Sequence, residues 1–320
     1  MKKVLFATTA LVAFAGAASA EIAMSGDAEM GVVGGDVAGD TQFWQTFDVT
    51  FTGSGETDFD LTFGATVDLT EAGGNEDSTD DNGYAVWVKG SFGNLTLGNT
   101  DGAMDWALAE ANSTSPGSIA DDESAHAGYF GGSYLDGSRD YVYAVDPIAG
   151  SGGEGQILRY DNTFGNISAA VSVEQGDNGA TDAGMAVGVK ADFNGIGIGV
   201  GYQKAAGSDG AGATTPSAIG LSVSGDFGGG ISAVAMYTQY SDFGYDAGQD
   251  ATNMQIGIGV SNGPTSFHAN YGSWDIDGVA SGSGFGVAAA YDFGGGLSAN
   301  VGYGDGEGTS TWSAGFVMSF

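Results

Sequence analysis

The chain has no cysteine, so disulfides, thiolate metal sites and thiol nucleophiles are all excluded. Basic side chains are scarce: 7 Lys and Arg stand against 40 Asp and Glu, a formal charge of −33 over 320 residues. A phosphate backbone would be repelled by such a surface, so no nucleic-acid partner is expected. Proline is nearly missing, with 4 residues, whereas glycine supplies 60. That much glycine without a triplet repeat argues against a helical protein and against collagen. Aromatic residues are plentiful (18 Phe, 13 Tyr, 5 Trp), which excludes intrinsic disorder. Beyond residue 20 no long uninterrupted apolar run occurs, which excludes a helical membrane protein.

The first twenty residues read separately. Met1-Lys2-Lys3 is a short basic start, Val4 to Ala15 is an uncharged apolar stretch, and Ala18-Ser19-Ala20 is a small-x-small cleavage signature. This is the pattern of a secretory signal peptide, residues 1–20, and the mature chain is expected to begin at Glu21 and run through 21–320 as one domain. The apolar stretch falls short of the roughly 20 residues that a membrane span needs.

A period of two dominates the mature chain. Phe43, Phe47, Val49 and Phe51 alternate with Trp44, Thr46, Asp48 and Thr50; Phe59, Leu61, Phe63, Ala65, Val67 and Leu69 alternate with polar or small residues. Successive side chains leave opposite faces of a pleated strand, so this alternation is the strand signal. Sixteen such segments are expected, the first at Ile22–Met30 and the last at 311–320. Their connections alternate in length. Tight turns are read at Thr52–Glu56, Phe92–Asn94, Phe164–Asn166, Phe193–Gly195, Phe227–Gly230, Asn262–Pro264 and Phe293–Gly296. Longer links rich in Asp, Gly, Ser and Thr fall at 34–40, 70–82, 100–155, 176–183, 206–216, 242–252, 276–283 and 304–310. Short turns on one rim and long loops on the other describe an outer-membrane β-barrel.

Two further features agree. The Phe that opens five of the turns, joined by Tyr202, Tyr237, Tyr271 and Tyr291, resembles an aromatic girdle at a membrane interface. The face opposite the large apolar side chains carries Ser25, Asp27 and Glu29, then Asp60, Thr62 and Asp68, Lys190 and Asp192, and Gln255, Gly257 and Gly259. Two packed sheets need apolar inner faces. A closed barrel with lipid outside and water inside satisfies both faces and leaves no open edge. The fold expected is all-β: a 16-stranded antiparallel transmembrane barrel.

The opening IAMSGDAEMGVV (22–33), SFGNLTLGNTDGAMDWA (91–107), GQILRYDNTFG (155–165) and the closing TWSAGFVMSF resemble, in order, the general diffusion porins of alphaproteobacteria, of the Rhodobacter and Paracoccus type. The resemblance implies a homotrimer of barrels in the cell outer membrane. Each chain is exported through the periplasm, embedded in lipid and lipopolysaccharide, and inserted by the barrel-assembly machinery that reads the terminal Phe320. It also implies that the long third loop, about 100–155, folds inward and narrows the channel, its acidic residues set against basic residues of the wall. The acidic candidates are Asp101, Asp105, Glu110, Asp121, Asp122 and Glu123; the wall candidates are Lys89, Arg159 and Lys190. The first three strands depart from the family in carrying no basic residue, with Glu29 where a basic partner is expected, so the pore should be more uniformly negative. Passive diffusion of ions and small hydrophilic solutes with cation preference follows, because acidic rings concentrate cations and repel anions. Residues 139–146 are read as part of the loop, since a seventeenth strand would place the chain ends on opposite rims.

Other chemistry has little support. Gly259–Gly263 matches G-x-S-x-G, but a strand follows where a nucleophile elbow needs a helix. Gly150–Gly155 matches G-x-G-x-x-G but precedes a strand. The only histidines, His126 and His268, are not at metal-ligand spacing, and no enzyme is expected. No cofactor is required, although the acidic stretch 71–81 could coordinate Ca²⁺ through oxygens, with no ligand set named. The competing reading is a non-channel β protein of the surface or medium, an adhesin or a calcium-dependent roll, for which no nonapeptide repeat is found.

Overall fold

A computed structural model describes residues 21–36, 39–72, 78–129, 156–175, 183–205, 214–243, 248–278 and 281–320. Residues 1–20, read from the sequence as a leader, and residues 139–146 lie outside the described residues. Sixteen strands form one closed barrel: β1 (Glu21–Gly35), β2 (Gly39–Glu56), β3 (Thr62–Ala72), β4 (Ser78–Gly90), β5 (Gly93–Gly98), β6 (Gln156–Phe164), β7 (Ile167–Gln175) and β8 (Gly184–Phe193), then β9 (Ile196–Lys204), β10 (Ser217–Asp226), β11 (Ile231–Ser241), β12 (Ala251–Asn262), β13 (Thr265–Ile276), β14 (Gly282–Gly294), β15 (Leu297–Gly306) and β16 (Thr309–Ser319). Each strand pairs antiparallel with its sequence neighbours, and β1 closes on β16 from Asp27 opposite Ser319 to Gly35 opposite Thr311. Closure gives every spanning backbone group a partner, the condition for crossing hydrocarbon.

The barrel is inverted relative to a soluble protein. On β12, Ile256 is 47% exposed while its neighbour Gln255 is 1% exposed. The outward row of β8 is Met185, Val187 and Val189, and its inward row is Ala186, Gly188 and Lys190. Among the described residues no helix is long and apolar enough to cross a membrane; the strands do so.

The girdle is two belts. Phe92, Phe164, Phe193, Phe227 and Phe293 are all exposed at the short-turn rim, with Tyr291 just above. Tyr202, Tyr237 and Tyr271 also point outward but lie in the far halves of their strands, six residues beyond the turn in the case of Tyr202. At about 3.3 Å per residue that is roughly 20 Å, close to the apolar band of about 25 Å between two girdles.

One turn moves. The Gly and Ser residues of 52–56 suggest a turn, but β2 runs on to Glu56 opposite Thr62. The reversal falls at 57–61, where Thr57 Oγ1 accepts from the amides of Phe59 and Leu61 and Asp60 takes φ +58°. Gly55 leaves room for Phe63, whose ring would meet a Cβ there at 2.7 Å.

Candidate functional site: an inward loop and the wall it leaves open

After β5 the chain turns into the barrel. A short helix, α1 (Ala103–Ala107), and a 3-10 turn (Ala111–Thr114) follow one another along the inner wall. The loop passes β7 to β10 with residues 103–109, β12 and β13 with 111–114, and β15, β16 and β1 with 118–122, then turns back over β14 and β13 with 123–128.

Glycine makes this approach possible. A Cβ on Gly188 would lie 1.8 Å from the Ala103 carbonyl, on Gly199 2.1 Å from that of Ala107, on Gly257 1.9 Å from that of Ala111, and on Gly286 1.8 Å from that of Glu123. Real Cβ contacts under 3.0 Å do not occur, so only glycine admits the loop backbone at these points. Alternation assigns the inward glycines to the wet face of the barrel. The structure corrects this: Gly257 and Gly259 are covered by Ala111 and Thr114, and this part of the interior is packed. Small polar side chains between the glycines bind the loop backbone. Ser172 Oγ accepts from the Ala103 amide (2.9 Å), Ser222 Oγ from Ala109 (2.9 Å), and Asn300 Nδ2 donates to the Gly117 carbonyl (2.8 Å).

The acidic residues of the loop divide in two. Asp101 is exposed and sits beside Arg159 of β6, with Nη1 3.6 Å from its carboxylate and 2.8 Å from its carbonyl. Asp105 is half-buried in α1, Glu110 accepts from Tyr129 Oη at 3.2 Å, and Asp121 stands exposed at a tight bend with φ +49°. Asp122 and Glu123 face the wall, at 0% and 2% exposure. Asp122 Oδ1 accepts from Thr311 (2.7 Å), and the two oxygens of Glu123 accept from Ser115 and Ser118 (2.7 Å each). Burial holds the Asp122 carboxyl above the usual carboxylate range. Asp122 therefore ties the loop to β16, and Glu123 braces the loop internally.

The basic candidates also separate. Arg159 and Lys190 meet at Trp106 of α1: Lys190 Nζ lies 3.8 Å from the indole centroid and donates to the Trp106 carbonyl at 2.7 Å, and the Arg159 guanidinium lies 5.9 Å from the same ring. Arg159 Nε also pairs with Asp161 at 3.4 Å. Lys89 is on the inner face of β4 beside the Gly90–Gly93 turn, opposite Asn94, whose Nδ2 donates to Asp161 Oδ1 at 3.3 Å. Beneath the loop, towards the short turns, a cavity of about 490 Å³ is lined by Trp106, Lys190, Asp192, Ser168, Ser222 and Ser224.

Among the described residues, the loop contact at the inward glycines of β1–β5 is Ile119 at Gly31. Register places Asp27 opposite Asp48, and Thr50 opposite Asp68, on the inner face of β1–β3. Glu29, two residues along, accepts from Trp44 Nε1 (3.1 Å) and Thr46 Oγ1 (3.2 Å). Alternation alone puts Asp27, Glu29 and Asp68 on the polar face without joining them into one site; the missing information is the pairing register, which brings Asp48 among them.

A second polar cluster lies on the covered wall. His126 Nε2 is 2.7 Å from Asn270 Oδ1, and Asn270 Nδ2 lies 2.7 Å from the Glu123 carbonyl and 3.1 Å from His268 Nε2. His268 Nδ1 is 3.0 Å from Thr114 Oγ1, and His126 Nδ1 accepts from the Gly128 amide at 3.2 Å.

Residues 7–311 match the family model for Gram-negative porins. A porin of Rhodobacter capsulatus is 26% identical over 309 residues, covering 90% of this chain and 95% of its own. Among solved structures, a porin refined at 1.8 Å superposes with a TM-score of 0.71 at 22% identity over 94% of this chain and all of its own. A triple mutant of Rhodopseudomonas blastica porin gives 0.69 at 16% identity over 93% of this chain and all of its own. The inverted barrel, the loop folded into its bore and the family match together place the chain among the Gram-negative porins, as an outer-membrane diffusion channel.

Proposed function

We propose that this porin passes small hydrophilic solutes with a preference for cations. The observation that carries the reading is an acidic wall: Asp27, Glu29, Asp48 and Asp68 share the inner face of β1–β3, and these three strands hold no basic residue. Arg159 of β6 and Lys190 of β8 stand further round the wall, engaged with Trp106 and with loop carbonyls. Like charges directly opposite one another cost a strand pair stability, so Asp27 facing Asp48 is an arrangement that folding alone does not favour. In a narrow passage with low-dielectric walls these carboxylates raise the local cation concentration and exclude anions. Exposed Asp101 and Asp121 extend the negative surface along the loop edge.

The test is the zero-current potential across a planar bilayer under a KCl gradient. Potassium preference that falls when Asp27, Asp48 and Asp68 are changed together to Asn supports the reading; chloride preference in the unmodified protein overturns it.

In this reading three barrels assemble as a homotrimer, lipopolysaccharide surrounds the long-loop rim, and the assembly machinery engages Phe320. That residue is exposed beside Phe47, with its backbone paired to Gly26. The protein acts as a conduit and not as an enzyme, and conduction needs no cofactor. Calcium at 71–81 would serve the outer surface only; residues 73–77 of that stretch lie outside the described residues.

A further inference from the structure

The only two histidines in the chain meet through one asparagine at the buried seam between the loop and the wall. His126 is 3% exposed, His268 4% and Asn270 5%. The hydrogen bonds fix the protonation of both rings. The Glu123 carbonyl can only accept, so the atom of Asn270 facing it is the amide nitrogen, and the Oδ1 atom faces His126. His126 therefore carries its proton on Nε2 and accepts from the Gly128 amide at Nδ1. Asn270 spends its second amide hydrogen on His268 Nε2, which leaves the His268 proton on Nδ1, facing Thr114. Both rings are neutral, and each nitrogen that would take a second proton already faces a donor.

We propose that His126 and His268 form an acid-sensitive latch: while neutral they hold loop residues 111–129 on the wall of β12–β15, and their protonation releases the loop into the lumen. A second proton on His126 would point Nδ1–H at the Gly128 N–H, and one on His268 would point Nε2–H at the Asn270 amide. The first contact lies within the loop and the second within β13; each second proton turns an acceptor that the docked arrangement uses into a donor facing a donor, and puts a charge in a space closed to water. Burial also draws the His126 pKa below the ordinary histidine value.

The groups facing the pair are these. The loop contributes Glu110 through Tyr129, exposed Asp121, and the buried carboxylates Asp122 and Glu123. β12 contributes Gln255 and two glycines, and β14 Gly284 and Gly286, all uncharged. β15 presents Gly304 and Gly306 to the loop, Asp305 being on its outward face beside Tyr303, and Glu307 in the following turn accepts from the Ser283 amide. The carboxylates favour proton uptake, but the two oxygens of Glu123 are already held by Ser115 and Ser118. Asp122 acts in the opposite sense, since a carboxyl whose docked value is raised favours docking as pH falls. The histidine effect is therefore read above the carboxylate range.

Once the loop leaves, both rings meet water and titrate near about 6.5. Docking is at full strength above that value and weakens about tenfold per pH unit per histidine below it, or about a hundredfold for the pair. Single-channel recordings from pH 7.5 to pH 5 test this, since the released loop would obstruct the arc beside β1–β6. Stepwise closures with a two-proton dependence are expected in the unmodified protein and not in the double variant His126→Gln, His268→Gln; a His126→Asn, His268→Asn pair covers the case where the first misfolds. A second readout is independent of current. With no native cysteine, Ala111→Cys (1% exposed as Ala) should react with a pyridyl disulfide at pH 5 and not at pH 7.5. Closures that persist in both His variants, or an unmodified channel that stays open at pH 5 with position 111 protected, overturn the latch.

Discussion

Changing Gly188, Gly257 and Gly286 to Ala adds three methyl groups to the covered wall and tests whether the loop lies where the structure places it. The added Cβ atoms would sit 1.8, 1.9 and 1.8 Å from the carbonyl oxygens of Ala103, Ala111 and Glu123. Ordinary contact begins near 3.4 Å, so the loop must retreat by about 1.5 Å at each point. Overpacking of this kind costs about 1–3 kcal/mol per site, which is roughly 5- to 150-fold in the docked population at 1.4 kcal/mol per decade. The three positions are on separate strands and touch different parts of the loop, so their effects should add, to about 3–9 kcal/mol. None has a positive φ, so the strands accept alanine without backbone strain. The barrel itself should fold, as judged by heat-modifiable mobility on a gel. Open-channel noise and protease cleavage within 103–128 should both rise. Gly53→Ala is the control, being a strand position with no atom within 4 Å of the added carbon. A triple variant with the conductance trace and protease resistance of the parent would refute the packed loop.

Trp106→Ala removes the ring beside which Lys190 and Arg159 both sit, a contact worth about 0.5–2 kcal/mol per cation. Chloride permeability in a KCl gradient should rise as the two cations turn toward water; an unchanged reversal potential would show that they stay in place without the indole. Asp122→Asn should leave ion selectivity unchanged, because Asp122 is buried against Thr311. A fall in potassium preference equal to that of the Asp27, Asp48 and Asp68 variant would instead place its charge in the lumen. Asp36 accepts from the Ser310 amide (3.0 Å) and hydroxyl (2.9 Å) across the β1–β16 seam, and these bonds hold its carboxyl below the usual range. Its contribution is present above about pH 3.9 and is lost as pH falls through the lower folded value. Asp36→Ala should therefore unfold more easily at pH 5, and its difference from the parent should shrink towards pH 2 in denaturant titrations.

Alternation alone is enough to read the architecture. In β6, β8, β12 and β13 the apolar rows of the sequence are the outward rows of the barrel, because a strand that must satisfy lipid on one side can do so only with period two. Turn composition is less dependable. Thr52–Glu56 has the residues of a turn but continues as strand, since its Gly55 serves a neighbouring phenylalanine, whereas the true reversal uses Thr57 and Asp60. The acidic run Asp121-Asp122-Glu123 reads as one feature along the chain, yet a single bend sends Asp121 to solvent, Asp122 to the Thr311 hydroxyl of the wall and Glu123 to the loop's own Ser115 and Ser118.

From the order of its residues the chain determines a closed sheet, its inverted polarity, its two unlike rims and its excess of negative charge. These depend on period, composition and local turn preference, all of which are short-range properties. The site depends on pairs far apart: Trp106 with Lys190, Asp122 with Thr311, His126 with Asn270, and Asp27 with Asp48. Barrel closure and the path of the loop bring these partners together. Nothing local distinguishes a glycine facing water from one pressed, like Gly257, against the carbonyl of a residue as distant in the chain as Ala111. The packed half of the bore and the open acidic half therefore separate only once the strands are joined in register and the loop is laid across them.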